Sequence, residues 1–411
     1  MTGNAVEISL LARRARNSLW SLFFLMGIVS MAWVPRIPEI KRSFDLSDGF
    51  FGIVLICSGV GAALGAQVSG GMVHRFGSQN VTRVAQIFMP SGLVVVALAP
   101  ASAILMAGLF LLGFAYAAID VSVNSQAVVV EKLLSKRLMV SFHGAWSIGA
   151  FSTTVFGGAI SNLLTPRENL LLVAVVALAI YIPSTERLLG PDRDEHLGVA
   201  GDEPRSIPVF GKAVIPIWLM ALGALGALIG EGSASDWGGI LLEDHLGVTK
   251  GVSASAFASF ALAMIISRFV GDHLFHRFGM YQVVSTLALA SSIIWISSIL
   301  ISWQISATNQ NVALILVNIG FFVAGFGIGP MFPAFMLAAG TTPGIPASVG
   351  IGRVAFLAIA GYFIGPTITG LISEATTLPL AMIYPAMMLA LGALMAHKLL
   401  RFGLADAKMS S

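Results

Sequence analysis

Charge is scarce in this chain. Of 411 residues only 10% are Asp, Glu, Lys or Arg, against about 25% in a typical soluble protein, which argues against a water-exposed globular surface. A single cysteine, Cys57, excludes an internal disulfide, and its apolar neighbours read as the setting of a packed thiol. The seven histidines fall in no cluster with metal-ligand spacing, so neither a metal nor a cofactor is expected. A phosphate loop of the Gly-x-x-x-x-Gly-Lys-Ser/Thr type is missing, which leaves any active process dependent on an ion or solute gradient. No nucleophile–base pairing stands out, so no enzyme is expected. A net charge of +3 calls for no nucleic-acid partner.

Apolar length, by contrast, is abundant. Hydrophobic residues make up 56% of the chain and the mean hydropathy is +0.88. Apolar runs long enough to cross a bilayer as helices number about twelve. In the first half they cover 18–40, 49–73, 80–98, 101–131, 138–163 and 168–186; in the second, 212–242, 250–275, 280–303, 311–338, 346–374 and 377–402. A membrane barrel would show short alternating segments instead. The reading is an all-α polytopic membrane protein of twelve transmembrane helices, its partners the lipid bilayer and a small-molecule substrate. Arg13, Arg14 and Arg16 precede the first run like a secretory signal, but no small-residue cleavage site follows, and the run reads as an uncleaved first helix.

The tetrapeptide His74-Arg75-Phe76-Gly77 recurs unchanged as His276-Arg277-Phe278-Gly279, 202 residues later. Upstream of the copies stand Trp33, Glu39 and Ser47 in one case and Trp237, Glu243 and Thr249 in the other, at offsets of 202 to 204. Preserved order and spacing predict a duplicated six-helix unit. The domains expected are a segment 1–17, a half 18–188, a linker 189–211 holding most of the soluble charge, a half 212–403 and a tail 404–411. Sixteen Lys and Arg fall on the side shared by the termini and five on the other. That bias puts both termini in the cytoplasm. A cell inner membrane and a monomer complete the expectation.

Two six-helix halves, a charged central loop and a Gly…Arg-x-Gly turn after helices 2 and 8 resemble the major facilitator superfamily. Its loop signature runs Gly-x-x-x-Asp-Arg-x-Gly-Arg-Lys, against Gly70-Gly71-Met72-Val73-His74-Arg75-Phe76-Gly77-Ser78-Gln79 here. Gly70, Arg75 and Gly77 match. His74 replaces the acid and Ser78 and Gln79 the basic pair, which departs from the usual salt-bridged gate. The segments Pro35–Ile40 with Leu46-Ser47, Asp120–Asn124, Ser141–Gly149 and Glu231–Trp237 are similar to a bacterial subgroup near the fucose-permease-like transporters. The resemblance implies a secondary transporter. It also implies that Gly70, His74, Arg75, Gly77, Asp272, His276, Arg277 and Gly279 form cytoplasmic gating turns, and histidine in place of the acid makes the first of them a candidate pH-responsive gate.

Ionisable side chains within membrane spans are functional candidates by default. Asp120 lies about 27 Å into helix 4 if that helix starts near Ser102, and Asn124 is one turn later on the same face. A carboxylate there can take up and release a proton, or the pair can tie helix 4 to a neighbour. Glu231 and Asp236 occupy helix 7 in a run rich in glycine and serine, Glu231 the deeper and Asp236 near the outer interface. His143 opens helix 5 beside Trp146 as a proton-sharing group or an interface residue. Trp33, Trp146 and Trp237 lie among small residues and suit stacking on a sugar's apolar face. Arg353 reads as a substrate-binding or snorkelling cation, Arg268 as the partner of Asp272 a turn later, and Arg36 with Glu39 as a rim salt bridge. The leading function is proton-coupled transport of a small polar solute, a sugar or related metabolite, by alternating access. A proton-driven exporter is the alternative within transport, and a non-transporting sensor or assembly partner the alternative outside it.

Overall fold

A computed structural model of the chain describes residues 2–136, 138–190, 211–345 and 347–401. Most of the expected linker and all of the tail 404–411 lie outside the described residues. The first half contains α1 (Thr2–Met31), a 3-10 turn (Val34–Arg36), α2 (Ile37–Ser43), α3 (Asp48–Phe76), α4 (Ser78–Leu98), α5 (Ser102–Leu134), α6 (Met139–Ala159) and α7 (Pro166–Thr185). The second opens on a 3-10 turn (Lys212–Val214) and continues through α8 (Ile215–Leu246), α9 (Lys250–Ser253), α10 (Ser255–Phe278), α11 (Met280–Ile305) and α12 (Gln310–Ile328). It closes with α13 (Met331–Gly340), α14 (Ala347–Ala375), α15 (Leu378–Ala381) and α16 (Ile383–Arg401). No strand occurs among the described residues.

Among the described residues eleven spans are long and apolar enough to cross a membrane. The twelfth is α6, 21 residues long, whose hydropathy is diluted by Ser141, His143, Ser147, Ser152, Thr153 and Thr154. Helix is the only open-ended solution here, because lipid offers no partners to backbone N–H and C=O groups. The molecule is apolar outside as well as inside: Phe269, Phe356 and Val175 are 73%, 73% and 64% exposed. That surface fits hydrocarbon, not water.

Several expected runs are divided, 250–275 between α9 and α10 and 377–402 between α15 and α16 among them, and proline explains two. The run 18–40 divides after Met31 because Pro35 and Pro38 offer no N–H to the carbonyls four residues back. The run 311–338 divides between α12 and α13, where Pro330 and Pro333 do the same to Phe326 and Gly329. By contrast α14 continues through Pro366. The start of α7 was legible: Thr165 and Glu168 form a reciprocal capping box, with Thr165 N–H donating to Glu168 Oε2 at 2.8 Å.

One compact unit gathers Met1–Phe44 and Val54–Gly201, the other Asp45–Ile53 and Asp202–Ser411. In the first, α1 packs on α6 and α5, and α4 on α5 and α7. Backbones touch where side chains vanish: a methyl group on Gly27 would overlap the Trp146 carbonyl, and one on Gly149 the Phe24 carbonyl. In the second, α8 is central, packed against α14, α16, α13, α12 and α10. Residues 45–53 are the departure from a division at the linker, since the first turns of α3 bond to α14. Gly49 N–H donates to Glu374 Oε2 at 3.0 Å, Thr367 Oγ1 donates to the Gly52 carbonyl at 2.8 Å, and Ser373 Oγ donates to Asp48 Oδ2.

Candidate functional site

Polar groups inside each unit sort into those spent on packing and those left to act. On α5, Ser122 and Gln126 belong to the first kind. Both are fully buried. The Ser122 hydroxyl pairs with Thr82 of α4 at 2.8 Å, and Gln126 Nε2 donates to Ser78 Oγ at 2.7 Å and to the Leu189 carbonyl at 2.8 Å. Asp120 and Asn124 lie on another face of the same helix and are half-buried. Asn124 Nδ2 donates to the Asp120 carbonyl at 2.8 Å and to Asp120 Oδ1 at 3.0 Å. The pairing expected from their spacing is therefore local, within one turn, and it does not tie α5 to a neighbour. Since α5 starts at Ser102, Asp120 keeps its depth of about 27 Å along the helix.

His143 stands on the first turn of α6, its ring edge-on to Phe23 of α1 with centroids 5.2 Å apart. One turn further on, Trp146 is half-buried and its indole N–H is buried without an acceptor among the described residues. Such an unmet donor inside a protein asks for an explanation.

In the second unit, Glu231 of α8 is 6% exposed and sits in the field of Arg268 of α10. Arg268 was expected to pair with Asp272; the side chain of Asp272 lies outside the described residues, and among the described acids Glu231 is the one whose charge Arg268 senses. Arg268 Nε also donates to the Gly329 carbonyl at 3.4 Å. That carbonyl is available because the residue four positions on is Pro333, which has no N–H to give it. The proline break thus creates the acceptor that anchors the arginine. Asp236, half-buried one turn further along α8, accepts from Ser235 Oγ at 3.1 Å. Tyr362 of α14 lies close to Ser235 and in the field of both Asp236 and Glu231. Its carbonyl, freed by Pro366, is approached so closely by Gly232 that a side chain there would overlap it.

Three helices therefore assemble Glu231, Asp236, Ser235, Arg268 and Tyr362. The sequence had supplied the two acids. Tyr362 was missed; it lies in the segment Gly361-Tyr362-Phe363-Ile364-Gly365-Pro366, and an uncharged phenol does not stand out against apolar surroundings.

Two of the three tryptophan candidates are corrected by burial. Trp237 is fully buried; its Nε1 donates to the Pro366 carbonyl at 2.9 Å and its ring packs edge-on to Phe51 at 5.5 Å. Trp33, 6% exposed, ends the first segment of the first span, where its carbonyl accepts from Arg36 N–H at 2.9 Å. Neither offers a ring face to a solute. Arg353 is half-buried in α14. Arg36 is no rim residue: it is wholly buried, and besides its 2.8 Å ion pair with Glu39 it bonds to Asn169, Ser161 and Leu164.

The repeated turns match in geometry as well as in sequence. Gly77 has φ 80° and ψ 151°, Gly279 φ 85° and ψ 138°. Each glycine N–H closes the preceding helix, on Val73 and Phe275 at 2.9 Å, and each arginine covers the next phenylalanine ring at 5.2 Å. His74, Arg75, His276 and Arg277 are exposed, as is Gly70. The departures at 78 and 79 have a structural use. Ser78 and Gln79 are buried; Ser78 accepts from Gln126, and Gln79 Nε2 donates to the carbonyls of Thr185 and Leu188 at 3.2 Å each. Neutral hydrogen bonds to α5 and to the end of α7 stand where the family pattern has a basic pair.

Comparison with known proteins agrees with this architecture. The sequence profile of the Major Facilitator Superfamily matches residues 19–347. An uncharacterised transporter of Sinorhizobium fredii is 30% identical over 379 residues, covering 91% of this chain and 95% of the relative. An uncharacterised MFS-type transporter of Yersinia pestis is 28% identical over 365 residues, covering 87% and 89%. Among solved structures, a bacterial homologue of the human lysosomal transporter Spinster, inward-facing and occupied, superposes with a TM-score of 0.75 at 14% identity, covering 95% of this chain and 97% of that one. The chain belongs to the major facilitator superfamily: it is a multi-pass membrane transporter of a small solute and not an enzyme.

Proposed function

We propose that this superfamily member moves a small polar solute, a sugar or related metabolite, across the cell inner membrane by proton-coupled alternating access of its two halves. The observation that carries the reading is Glu231, a carboxylate buried in a membrane-spanning helix and facing Arg268. A lone charge at that depth is costly, so the pair has two tolerable states. With Glu231 ionised, the arginine is held. With Glu231 protonated, that attraction is lost while the arginine still bonds to the Gly329 carbonyl at the α12–α13 break, so a change of charge on α8 is felt where those helices meet. Asp120, half-buried with one oxygen fixed by Asn124, is the matching acid of the first half. Asp236 and Tyr362 extend the second-half site.

Solute binding falls to the Trp146 indole N–H, which has no acceptor among the described residues, together with His143 and Arg353, the imidazole and cationic candidates retained from the sequence. The halves 18–188 and 212–403, joined by the linker 189–211, act as the two moving bodies, in a monomer with both termini in the cytoplasm. The turns at Gly70–Gly77 and Asp272–Gly279 serve as the cytoplasmic gates. The bias of basic residues toward the side of the termini supports that orientation.

A thermal-shift screen of the purified chain against sugars, organic acids and nucleosides identifies the ligand, because a solute specific to the folded state stabilises it. Proteoliposomes with an imposed proton gradient then test coupling. Accumulation of that ligand against its own gradient is expected. Equilibration without accumulation, under a gradient of either sign, overturns the coupling.

A further inference from the structure

At the polar end of the first unit, α1 and the end of α5 enclose a cavity of about 320 Å³ lined by Ser9, Arg13, Arg16, Leu133, Leu134 and Lys136. We propose that it binds the phosphate of an anionic phospholipid headgroup, a site separate from the transport machinery.

Three positive side chains line the cavity, with no acid among the described lining residues. Among the described residues none of the three is held in an ion pair. Glu131, two residues before the lining residue Leu133, is spent on the backbone, where its Oε1 accepts from the N–H groups of Leu138 and of Met139, the latter at 2.8 Å. The carbonyls that end α5 are occupied too: Ser135 N–H donates to Lys132 and Lys136 N–H to Glu131, both at 3.2 Å. Arg16 directs Nε and Nη2 at Asn17 Oδ1, a neutral acceptor, at 3.1 and 2.9 Å, so the wall remains a row of cations without a counter-charge among the described residues, which suits a phosphate.

The choice of a lipid over a free anion comes from what continues the site. Ser9, Arg13, Arg16 and Trp20 recur at helical spacing along one stripe of α1. Trp20 is 39% exposed, and Leu10 and Leu133 beside the basic residues are 53% and 40% exposed. An exposed tryptophan one turn beyond a basic cluster, where the helix turns apolar, marks the membrane interface. The cations therefore sit at headgroup level, with apolar surface leading away from them into the hydrocarbon, as a ligand with one charged end and acyl chains requires.

Native mass spectrometry of the full chain from mixed phosphatidylglycerol and phosphatidylcholine tests this. The wild type should retain phosphatidylglycerol preferentially, and each of Arg13→Gln, Arg16→Gln and Lys136→Gln should weaken that preference by about five-fold. Arg83→Gln and Lys132→Gln, which remove exposed cations outside the cavity lining, should leave it intact. Equal loss in these controls would reduce the effect to diffuse surface charge and overturn the site. Displacement of the lipid by excess inorganic phosphate at comparable affinity would identify a free-anion site and overturn the lipid assignment. Thermal melts in phosphatidylcholine show which variants fold. Should a glutamine variant fail that check, Arg13→Lys and Arg16→Lys, which keep the charge, must still retain the lipid, and their failure to do so overturns the proposal.

Discussion

Arg36 donates from Nε to Oδ1 of Asn169 at 3.0 Å, across 133 residues of chain, with both side chains buried. The same guanidinium reaches Glu39 and the carbonyls of Ser161 and Leu164. One side chain thus joins the broken end of the first span to the connection between α6 and α7. Removing it strands Glu39 and two carbonyls. Arg36→Ala should cost about 3–5 kcal/mol, the scale for breaking a buried pair, and Asn169→Ala about 1.5–3 kcal/mol, the scale for a hydrogen bond to a charged group. A thermal melt in detergent that ranks the two variants the other way would remove Arg36 as the hub.

For Glu231 and Arg268 the informative measurement is a double-mutant cycle. Arg268→Gln removes the cation in whose field the buried acid sits, and Glu231→Gln removes the acid from the field of the half-buried base. The double variant should melt closer to wild type than Arg268→Gln does, with a coupling of about 0.5–3 kcal/mol between the sites. Additive losses would mean that the two charges do not sense one another. In transport, Glu231→Gln should abolish accumulation driven by a proton gradient while counterflow exchange persists.

Asp120→Asn is expected to separate binding from coupling in the first half. Its amide can still bond to Asn124 but cannot carry a proton. Ligand-induced stabilisation should survive and gradient-driven uptake fall by an order of magnitude or more, about the range seen when a proton-transfer group is removed. Undiminished accumulation would shift coupling wholly to the second half.

The two glycine turns make a paired test. With φ near 80° and ψ near 150°, Gly77 and Gly279 occupy a region almost closed to residues bearing a Cβ. Alanine at either should cost about 1–3 kcal/mol. Asparagine should not rescue them, because its tolerance for positive φ is tied to the left-handed helical region, where ψ is far smaller. A variant as stable as wild type at either position would show that the turn relaxes to another shape.

Restoring the family's basic pair by Ser78→Arg with Gln79→Lys should destabilise this protein. Both positions are buried and bonded to neutral partners, so each new charge would be desolvated without a counterion, at a cost of several kcal/mol. Loss of folded yield is the expected outcome. A well-folded double variant would imply that these side chains can leave their sites.

Much of the candidate site could be read in the sequence because embedded charge is rare and therefore visible. Asp120, Asn124, Glu231 and Asp236 stand out against apolar surroundings for that reason, and the depth of Asp120 followed from counting residues along a helix. Partners were harder to assign. Local spacing offered Asp272 to Arg268, and only packing brought α10 to α8 and Glu231 into its field. Tryptophans among small residues looked equally available at 33, 146 and 237. The packed chain buries the first two rings to different degrees, bonds the third to the Pro366 carbonyl, and leaves the unmet N–H on Trp146.

By itself the sequence determined that this protein is a membrane-spanning bundle of helices built on a repeated unit. Hydrocarbon enforces helix on any long apolar run, and the turn His-Arg-Phe-Gly fixes the repeat by a backbone shape that favours glycine at the same place twice. Tertiary structure decided which polar groups remain available for chemistry. A serine, glutamine, arginine or indole on a helix has the same local signature whether it is consumed by a neighbour or left facing a solute. Arg36, Ser78, Gln79 and Trp237 are consumed by partners up to 133 residues away, and Glu231 and Arg268 meet on separate helices. Those distances are closed by packing alone, because the interactions concerned act over a few ångströms while their partners stand tens of residues apart in the chain.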